Sequence, residues 1–423
     1  MRICVIGAGF SGLAAAEAAQ RAGHEVVVLE ARDRVGGRVW SQTLPNGAVF
    51  ERGAEFIEHY QTEIISTVER LGLRLAPMGM AYADREPRGG LGVDRATLEG
   101  AVARIREALA TGEADPNQPV ITFLDDLDLD PGAREAIVAR LAITSTQPAA
   151  DLPVAVLGDG HSLLNTDESF RVAGGNQGVA LELARRLGAA VHLATPVRAV
   201  TWSDDHATVR AEGLDVAADH VVLTVPAKLM GQIAFDPPLP TWKQAALDGV
   251  AYGHAAKLAV PLREPAAPGG TLSVPDLFWT WTAQGADGAV APVAGCFAGS
   301  APGLDALGVT AGPQRWLERL AWLRPDLALQ PEGAVLTTWD DDPWIGASYS
   351  TVLIDQLRQP DELIRPVGPL HLAGEHTAGL HYATMDGALR SGRRAAEEIV
   401  GGDQERQVGV MRTHRVSNGF ENN

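Results

Sequence analysis

The stretch that decides the fold lies at the start of the chain and reads Ile3-Cys4-Val5-Ile6-Gly7-Ala8-Gly9-Phe10-Ser11-Gly12. Its last six residues fit the pattern G-x-G-x-x-G. Glycines at these positions permit a tight turn and let the backbone approach a pyrophosphate, which the N-terminus of the following helix stabilises. Glu30 ends the next apolar run, where its carboxylate can accept hydrogen bonds from a ribose. The stretch predicts a dinucleotide site, with a tight turn that binds no ligand as the alternative.

The segments around this turn have the patterns of a strand, a helix and a second strand. Residues 3–6 form a short apolar run, residues 13–22 are Ala-rich, and Gly23 follows them. Glycine commonly ends a helix. Residues 26–29 are apolar on both faces, as in a parallel strand that helices cover. Together they predict one βαβ unit.

Composition limits the class of protein. A chain of 423 residues exceeds the usual size of one domain, and 46% hydrophobic with 21% charged residues is typical of globular proteins. The 35 Lys and Arg and 53 Asp and Glu give a formal charge of -18, and no basic run could neutralise a phosphate backbone. Nucleic-acid binding is therefore disfavoured. The surplus acid either attracts cationic amines or simply keeps the protein in solution.

Cysteine use and hydropathy bear on the compartment. Cys4 and Cys296 each lie in an apolar run, so we expect two core residues and neither a disulfide nor a metal site. A strand at the first residues leaves no room for a cleavable signal, and no apolar run approaches the roughly 20 residues that span a bilayer. We expect a cytoplasmic protein without a membrane partner.

The middle of the chain changes character several times. From residue 78 to about 168, helical periodicity at 98–109 and 133–141 predicts a helical insertion. Residues 172–226 predict a return to the first lobe, with a helix at 179–187 and strands near 190–193, 207–211 and 221–224.

The second half of the chain predicts another sheet and a closing helix. Residues 241–345 contain aromatic and β-rich stretches, including 257–260 and 277–282, which predict the sheet of a second lobe. The run 370–375 predicts a strand that leads into a helix from 385 to 400. The polar tail after Gly401 is expected to fray.

A second motif extends the dinucleotide signature and reads Glu30-Ala31-Arg32-Asp33-Arg34-Val35-Gly36-Gly37-Arg38. It resembles the extended signature of the flavin-containing amine oxidase superfamily, in which a glycine pair follows the ribose acid and the arginine contacts the pyrophosphate. The resemblance implies that Arg38 makes this charge-assisted contact, with Arg32 and Gly37 in the same site. A solvated loop charge is the alternative for Arg32 and is more plausible for Arg34.

The resemblance continues through nearly the whole chain. Residues 51–57 resemble the segment that passes the flavin ring, residues 172–175 the central glycine pair, and residues 373–377 with 386–392 the closing flavin motif. Ser348 stands where monoamine oxidases carry the cysteine that bonds FAD, so the resemblance implies FAD that is not covalently bound. The further cofactor-binding residues that it implies are Gly53, Ala54, Glu55, Phe56, Val197, Trp339, Gly374, Glu375, Thr384 and Met385.

The family resemblance also implies the architecture. We expect an α/β protein in which a Rossmann-like FAD-binding domain carries an inserted α+β substrate domain. The FAD-binding domain would comprise residues 1–75, 166–240 and 346–400. The substrate domain would comprise 76–165 and 241–345, and 401–423 would form a polar tail.

The resemblance implies a catalytic role at four positions, Lys257, Tyr349, Glu58 and Thr384. Lys257 matches the family lysine that holds a water against the reactive nitrogen of the flavin, and a buried lysine on an apolar strand is costly without such a role. A lysine on the solvent face of an edge strand is the alternative. Tyr349 matches one wall of the aromatic cage that orients the amine.

At two further positions the sequence departs from the family pattern or leaves the role of the residue open. The second cage tyrosine aligns with Thr384, and Tyr382 or Trp344 could compensate for it. Glu58 stands where polyamine oxidases place an acidic or imidazole group. It would anchor a substrate cation or accept a proton, and a solvent-facing loop acid is the alternative.

The implied reaction transfers hydride from an amine to flavin and gives an imine. Dioxygen would then reoxidise the flavin and give hydrogen peroxide. The rivals are an amino-acid oxidase, a carbon-carbon desaturase, an oxidase of an N-acylated intermediate of secondary metabolism, and a flavin-bearing module that binds basic peptides. The expected partner is a small-molecule amine, and a homodimer is compatible with the sequence.

Overall fold

The structure is a computed structural model that describes residues 1–158, 167–356 and 360–417. In these ranges the strands β1 to β19 are, in order, Arg2–Ile6, Glu25–Leu29, Ser41–Thr43, Val49–Glu51, Leu75–Ala81, Glu86–Arg88, Glu168–Val172, Val191–His192, Val197–Trp202, Ala207–Ala211, Leu214–Ala218, His220–Leu223, Ala234–Asp236, Ala255–Pro261, Gly269–Ser273, Phe278–Thr282, Val293–Gly299, Val335–Thr338 and Leu370–Leu372.

Helices alternate with these strands along the chain. Within the same ranges the α-helices α1 to α11 are, in order, Phe10–Arg21, Thr62–Arg70, Arg95–Ala110, Val120–Asp126, Pro131–Ser145, Gln177–Leu187, Thr241–Asp248, Ala301–Ala306, Gln314–Leu323, Pro360–Ile364 and Met385–Ser417.

The first lobe is built on a five-stranded parallel sheet with the strand order β19-β12-β1-β2-β8. β1 pairs with β2 on one side and with β12 on the other. Most of their residues are buried, because helices α1, α6 and α11 cover one face of the sheet and strands β9, β10 and β11 cover the other. The βαβ unit and the strands predicted near 190–193, 221–224 and 370–375 are thus confirmed. A four-stranded sheet, β11-β10-β9-β13, adjoins this lobe.

Helices α1 and α11 cross on this sheet at a glycine contact. A Cβ atom added at Gly392 of α11 would overlap the carbonyl oxygen of Ser11 in α1. Alanines of α1 and α11, including Ala15, Ala16 and Ala395, are buried in the same cluster. Small residues let the two backbones approach closely, so the end of the fold packs directly on its first helix.

The second lobe contains a six-stranded mixed sheet with the order β18-β14-β17-β16-β15-β6. Helices α8 and α9 pack on one face through a cluster that includes Phe278, Trp316 and Leu320. Helices α3, α4 and α5 form a second cluster around Ile105, Leu124 and Ile137. The predicted helices at 98–109, 133–141 and 179–187 and the strands at 207–211, 257–260 and 277–282 are confirmed.

Two predictions about the course of the chain are wrong. Residues 78–168 are not purely helical, since β5 pairs with β7 and β6 forms the edge of the six-stranded sheet beside β15. These strands are short or Gly- and Pro-containing, so their pairing with distant segments is not visible in local periodicity. The last helix does not fray after Gly401 but continues to Ser417.

Some predicted boundaries lie beyond what the structure describes. The expected boundary between residues 165 and 166 lies outside the described residues, as does the end of the tail, 418–423. The domain bounds therefore stay predictions. Cys4 and Cys296 are both buried free thiols. Over the described ranges, no helix is long and apolar enough to cross a membrane.

The contact between α1 and α11 predicts a position-specific effect of alanine. Gly392→Ala should lower the free energy of unfolding by roughly 2–3 kcal/mol, because the new methyl group overlaps the Ser11 carbonyl. Gly401→Ala in the same helix, where a Cβ meets nothing within 4 Å, is the matched control. It should be neutral or stabilising by up to about 1 kcal/mol. Urea denaturation of the two variants measures both effects, and equal stabilities would contradict the contact.

Candidate active site

One cavity of about 310 Å³ lies between the two lobes, within the range of small-molecule sites. Its lining includes residues of the glycine turn, of the parallel sheet and of the six-stranded sheet. Of the sequence-predicted site residues, those that line it are Gly7, Gly9, Ser11, Glu30, Arg32, Gly37, Arg38, Gly53, Ala54, Glu55, Phe56, Val197, Lys257, Trp339, Tyr349, Gly374, Glu375, Thr384 and Met385.

The glycine turn forms one end of the cavity. Gly7 has a φ of +107°, and a Cβ atom at Gly12 would overlap the Gly7 carbonyl oxygen, so both positions require glycine. Gly12 itself is absent from the lining. At Gly9 a Cβ would meet nothing within 4 Å, so the backbone there borders open space, just before the first residue of α1. The chain thus offers a bare backbone and a helix N-terminus, which fit the pyrophosphate of a dinucleotide.

Glu30 lies at the end of β2, beside the turn. Its two carboxylate oxygens accept hydrogen bonds from the backbone N–H groups of Ala8, at 2.7 Å, and Arg32, at 2.9 Å. Burial raises the pKa of Glu30, and these two bonds act in the opposite direction. A carboxylate accepts about four hydrogen bonds, so Glu30 retains capacity for ribose hydroxyls.

The two arginines of the extended signature are held by acids. Arg32 forms an ion pair with Asp342. Arg38 donates to the backbone carbonyl of Ser348 at 2.5 Å and lies 3.0 Å from the carboxylate of Glu375. Arg34 is not a freely solvated loop charge either, because its guanidinium stacks on Trp40, 4.4 Å from the ring centre.

Glu375 connects several segments at the middle of the cavity. Its Oε2 atom accepts hydrogen bonds from the Ser350 hydroxyl at 2.6 Å and from the Ala383 N–H at 2.9 Å. The following residues start α11: the Thr384 hydroxyl accepts from the N–H of Gly387 at 2.9 Å and donates to the carbonyl of His381. Met385 is the first residue of that helix. The start of α11 therefore also faces the cavity, as predicted for its N-terminus.

Lys257 lies on β14, between β17 and β18, and is 6% exposed. It is therefore not a solvent-facing lysine of an edge strand, and that alternative is wrong. Its Nζ atom lies 2.6 Å from Glu55 Oε2 and donates to the Gly53 carbonyl at 3.0 Å. The other Glu55 oxygen accepts from the indole of Trp281 at 3.2 Å. An ammonium has three donors, and these contacts use two of them.

Aromatic side chains form the other end of the cavity. Tyr349 donates its hydroxyl to the backbone carbonyl of Thr144 at 2.6 Å, and burial raises its pKa well above the usual value. Sequence reasoning missed Tyr82, Trp279, Trp281 and Phe297, which also line this end. Trp279 and Trp281 are stacked with ring centres 4.3 Å apart. A signal was present, because aromatic residues at alternate positions of a strand share one face.

The candidates for completing the aromatic cage lie elsewhere. Tyr382 is buried in the helical cluster with Val352 and is absent from the lining. Trp344 lines the cavity but stacks with Arg198, 5.7 Å from its guanidinium and close in sequence to Val197. It thus lies at the end that Val197 marks, away from Tyr349. Tyr382 does not line the cavity and Trp344 lines its other end, so neither ring forms a second wall of the aromatic end.

Glu58 is 4% exposed, so the alternative of a solvent-facing loop acid is wrong. Its carboxylate accepts a hydrogen bond from the Ser169 hydroxyl at 2.8 Å, and that hydroxyl accepts from the N–H of Tyr82. Glu58 is not among the residues that line the cavity. In this arrangement it supports the segment that carries Tyr82. In the part of the chain that the structure covers, no group of three or more His, Cys, Asp or Glu could hold a metal.

Comparisons with known proteins identify the family of this chain. Residues 10–400 match the family model described as flavin containing amine oxidoreductase. The chain is 30% identical to putrescine oxidase of Kocuria rosea, over 94% of this chain and 95% of the relative. It is 24% identical to L-amino acid dehydrogenase of Synechocystis, over 94% of each chain.

Solved structures show the same fold. A structure of wild-type putrescine oxidase bound to putrescine has a TM-score of 0.80 and 26% identity, over 95% of this chain and 99% of that one. Cyclohexylamine oxidase from Brevibacterium oxydans has a TM-score of 0.78 at 21% identity, over 95% of this chain and 99% of that one, and supports the fold alone.

Glu51, buried behind Glu55, gives the site a pH-dependent stability. Burial raises the pKa of Glu51 from 4.5 to about 7, so the folded state binds its proton more tightly than the unfolded chain does. The stability that this proton contributes is fully present below pH 4.5 and is lost as the pH rises through 7. Glutamine has no proton to lose in this range, so the free energy of unfolding of Glu51→Gln should rise relative to wild type by up to about 3 kcal/mol between pH 4.5 and 8. Urea denaturation of both proteins across that pH range measures this difference. A difference in stability that does not change with pH would contradict the raised pKa of Glu51.

Proposed function

Since the chain belongs to the flavin-containing amine oxidoreductase family and has its two-domain α/β fold, we propose that it is an oxidase that binds FAD non-covalently and oxidises an amine. The predicted family and fold class are confirmed, and the protein is a flavin-dependent oxidoreductase. One observation carries the finer proposal. A single cavity connects an anion-binding glycine turn to an aromatic end that contains Lys257.

The proposed FAD site follows the cavity from the turn to Lys257. The backbone at Gly9 and the N-terminus of α1 would hold the pyrophosphate, together with Arg38. Glu30 would bind the adenosine ribose, and the start of α11 at Met385 would lie at the flavin, where a helix N-terminus stabilises negative charge. Ser348 takes the place of a cysteine, which supports non-covalent binding.

When bound, FAD supplies the acceptor for a hydride from the amine carbon, and the amine becomes an imine. Tyr349 and Phe56 would orient the amine, since their rings line the aromatic end. Tyr349 directs its hydroxyl to the carbonyl of Thr144, so its ring is fixed as a wall. Dioxygen is the proposed final electron acceptor, with hydrogen peroxide as the second product.

Lys257 would hold a water beside the reacting atoms through its remaining donor. Glu55 fixes the ammonium from one side and the Gly53 carbonyl from another, so the third N–H has a defined direction. Glu55 also supplies the counter-charge that makes the burial of this ammonium tolerable. The proposal assigns to Lys257 and its water the tuning of the reaction with dioxygen.

An anaerobic titration tests the proposed reaction directly. The purified protein should absorb as an oxidised flavin, release FAD on acid precipitation, and lose its absorption near 450 nm when a substrate amine is added. Primary amines, α-amino acids and polyenes form the panel, so the amino-acid oxidase and desaturase rivals are tested with the amines. Bleaching by polyenes alone would reject amine oxidation. Protein that carries no flavin and takes up none would reject the cofactor.

A lysine pair tests the role of Lys257. The chain has three lysines, of which Lys228 is exposed and lies outside the cavity lining. Lys257→Met should retain FAD but react with dioxygen roughly 100-fold more slowly, as expected when one positioned donor is lost. Lys228→Met should behave as wild type. Stopped-flow reoxidation of the reduced protein measures both rates, and an unchanged rate in Lys257→Met would contradict the assignment.

A further inference from the structure

Behind the aromatic end of the cavity lies a buried guanidinium. Arg85 is 4% exposed. Its Nε atom donates to the Tyr82 carbonyl at 3.1 Å, and its Nη1 atom lies 3.4 Å from the Thr144 hydroxyl. Its Nη2 atom is buried and has no hydrogen-bond partner. Unsatisfied buried donors are rare in proteins, so this group requires an explanation.

The guanidinium packs directly against two walls of the cavity. It lies 3.9 Å from the ring centre of Trp279 and 4.2 Å from that of Tyr82. Thr144, its third neighbour, accepts the hydroxyl of Tyr349 through its carbonyl. Three of the rings that line the aromatic end are therefore in contact with Arg85 or one residue away from it.

Within the described ranges, no acid forms an ion pair with Arg85, because no Asp or Glu lies within 4.0 Å of its guanidinium. Glu55 binds Lys257 and Trp281, and Glu58 accepts from Ser169. Burial and then the charge of Arg85 lower the pKa of the neighbouring Arg140 to about 9.

Arg85 is separated from Lys257 by the stacked indoles. Lys257 Nζ lies 5.3 Å from the centre of the Trp281 ring, Trp281 stacks on Trp279, and Arg85 packs on Trp279. The guanidinium thus lies at the far side of the aromatic end from the lysine. It would act on the tail of a bound amine rather than on the carbon that bears the nitrogen.

We propose that Arg85 determines which amines this oxidase accepts, by favouring a tail that carries a carboxylate over one that carries a second ammonium. The inference rests on the proposed function. A buried cation without a counter-charge is costly, and an anion in the adjoining cavity offsets that cost through Coulomb attraction across the Tyr82 and Trp279 rings. A second ammonium adds to the cost instead.

Three amines with the same five-carbon chain test the preference for tail charge. Pentylamine, 1,5-diaminopentane and 5-aminopentanoate differ only at the end remote from the reacting nitrogen. The rate constant of anaerobic flavin reduction divided by the dissociation constant should be highest for 5-aminopentanoate. It should be on the order of tenfold lower or more for the diamine. A diamine that is equal to or better than 5-aminopentanoate in wild type would overturn the proposal.

Variants assign the preference to the charge. Arg85→Met should bring the three amines within about threefold of one another, whereas Arg85→Lys, which keeps the charge, should retain the ranking. Arg319→Met is the control for loss of an arginine, because Arg319 pairs with Asp276 away from the cavity lining. It should retain the wild-type ranking. A ranking unchanged in Arg85→Met would overturn the assignment.

A binding experiment separates this proposal from the proposed function. Pentanoate and tert-pentylammonium, which has no α-hydrogen to transfer, are titrated into the oxidised protein and followed by the flavin spectrum, so that they report charge preference without turnover. Tighter pentanoate binding that is lost in Arg85→Met supports the role of Arg85 even when no amine reduces the flavin, in which case only the proposed reaction fails. If Arg85→Met does not retain flavin, the ranking of the three amines in wild type and in Arg85→Lys still tests the proposal. Equal binding of the two ligands by wild type contradicts it.

Discussion

The close approach of backbones at the glycine turn is the constraint on which the rest of the site depends. Gly12 lies so near the Gly7 carbonyl that no side chain fits between them, and Gly392 has the same relation to Ser11. These contacts place the N-terminus of α1 at the edge of the parallel sheet and α11 across α1. Because α11 begins at Met385, two helix N-termini then face one cavity. Partial positive charge is thereby fixed at two places along a site suited to an anionic dinucleotide.

The ion pair between Lys257 and Glu55 connects this lobe to the second sheet. Lys257 belongs to β14 of the six-stranded sheet, whereas Glu55 follows β4 in the first quarter of the chain. Removing both charges from water is costly, and only good geometry and further donors make such a pair tolerable. Trp281 supplies one of those donors, and Arg171 lies 3.6 Å from the same carboxylate. The pair therefore requires the lobes to meet in one arrangement, which is also the arrangement that closes the cavity.

The sequence predicts the nucleotide end of the molecule better than the substrate end, for physical reasons. Apolar runs at residues 26–29 and 221–224 indicate buried parallel strands, because such strands are covered on both faces. The roles of Gly7 and Gly12 follow from local conformation alone. By contrast, β6 reaches its partner β15 across almost two hundred residues, and no local pattern encodes that pairing.

Side-chain partners are equally difficult to predict. The ion pairs of Arg38 with Glu375 and of Arg32 with Asp342 join residues more than three hundred positions apart. Aromatic alternation at Trp279 and Trp281 is visible in the sequence, but its meeting with Tyr82 depends on sheet register. This difference explains why the family fixes the cofactor class and leaves the substrate open.

Thr384 uses its hydroxyl to start α11, so the wall opposite Tyr349 has no ring there. The walls that remain are Tyr82 and Trp279, which rest on a buried cation, so discrimination between amines falls to the charge behind the rings.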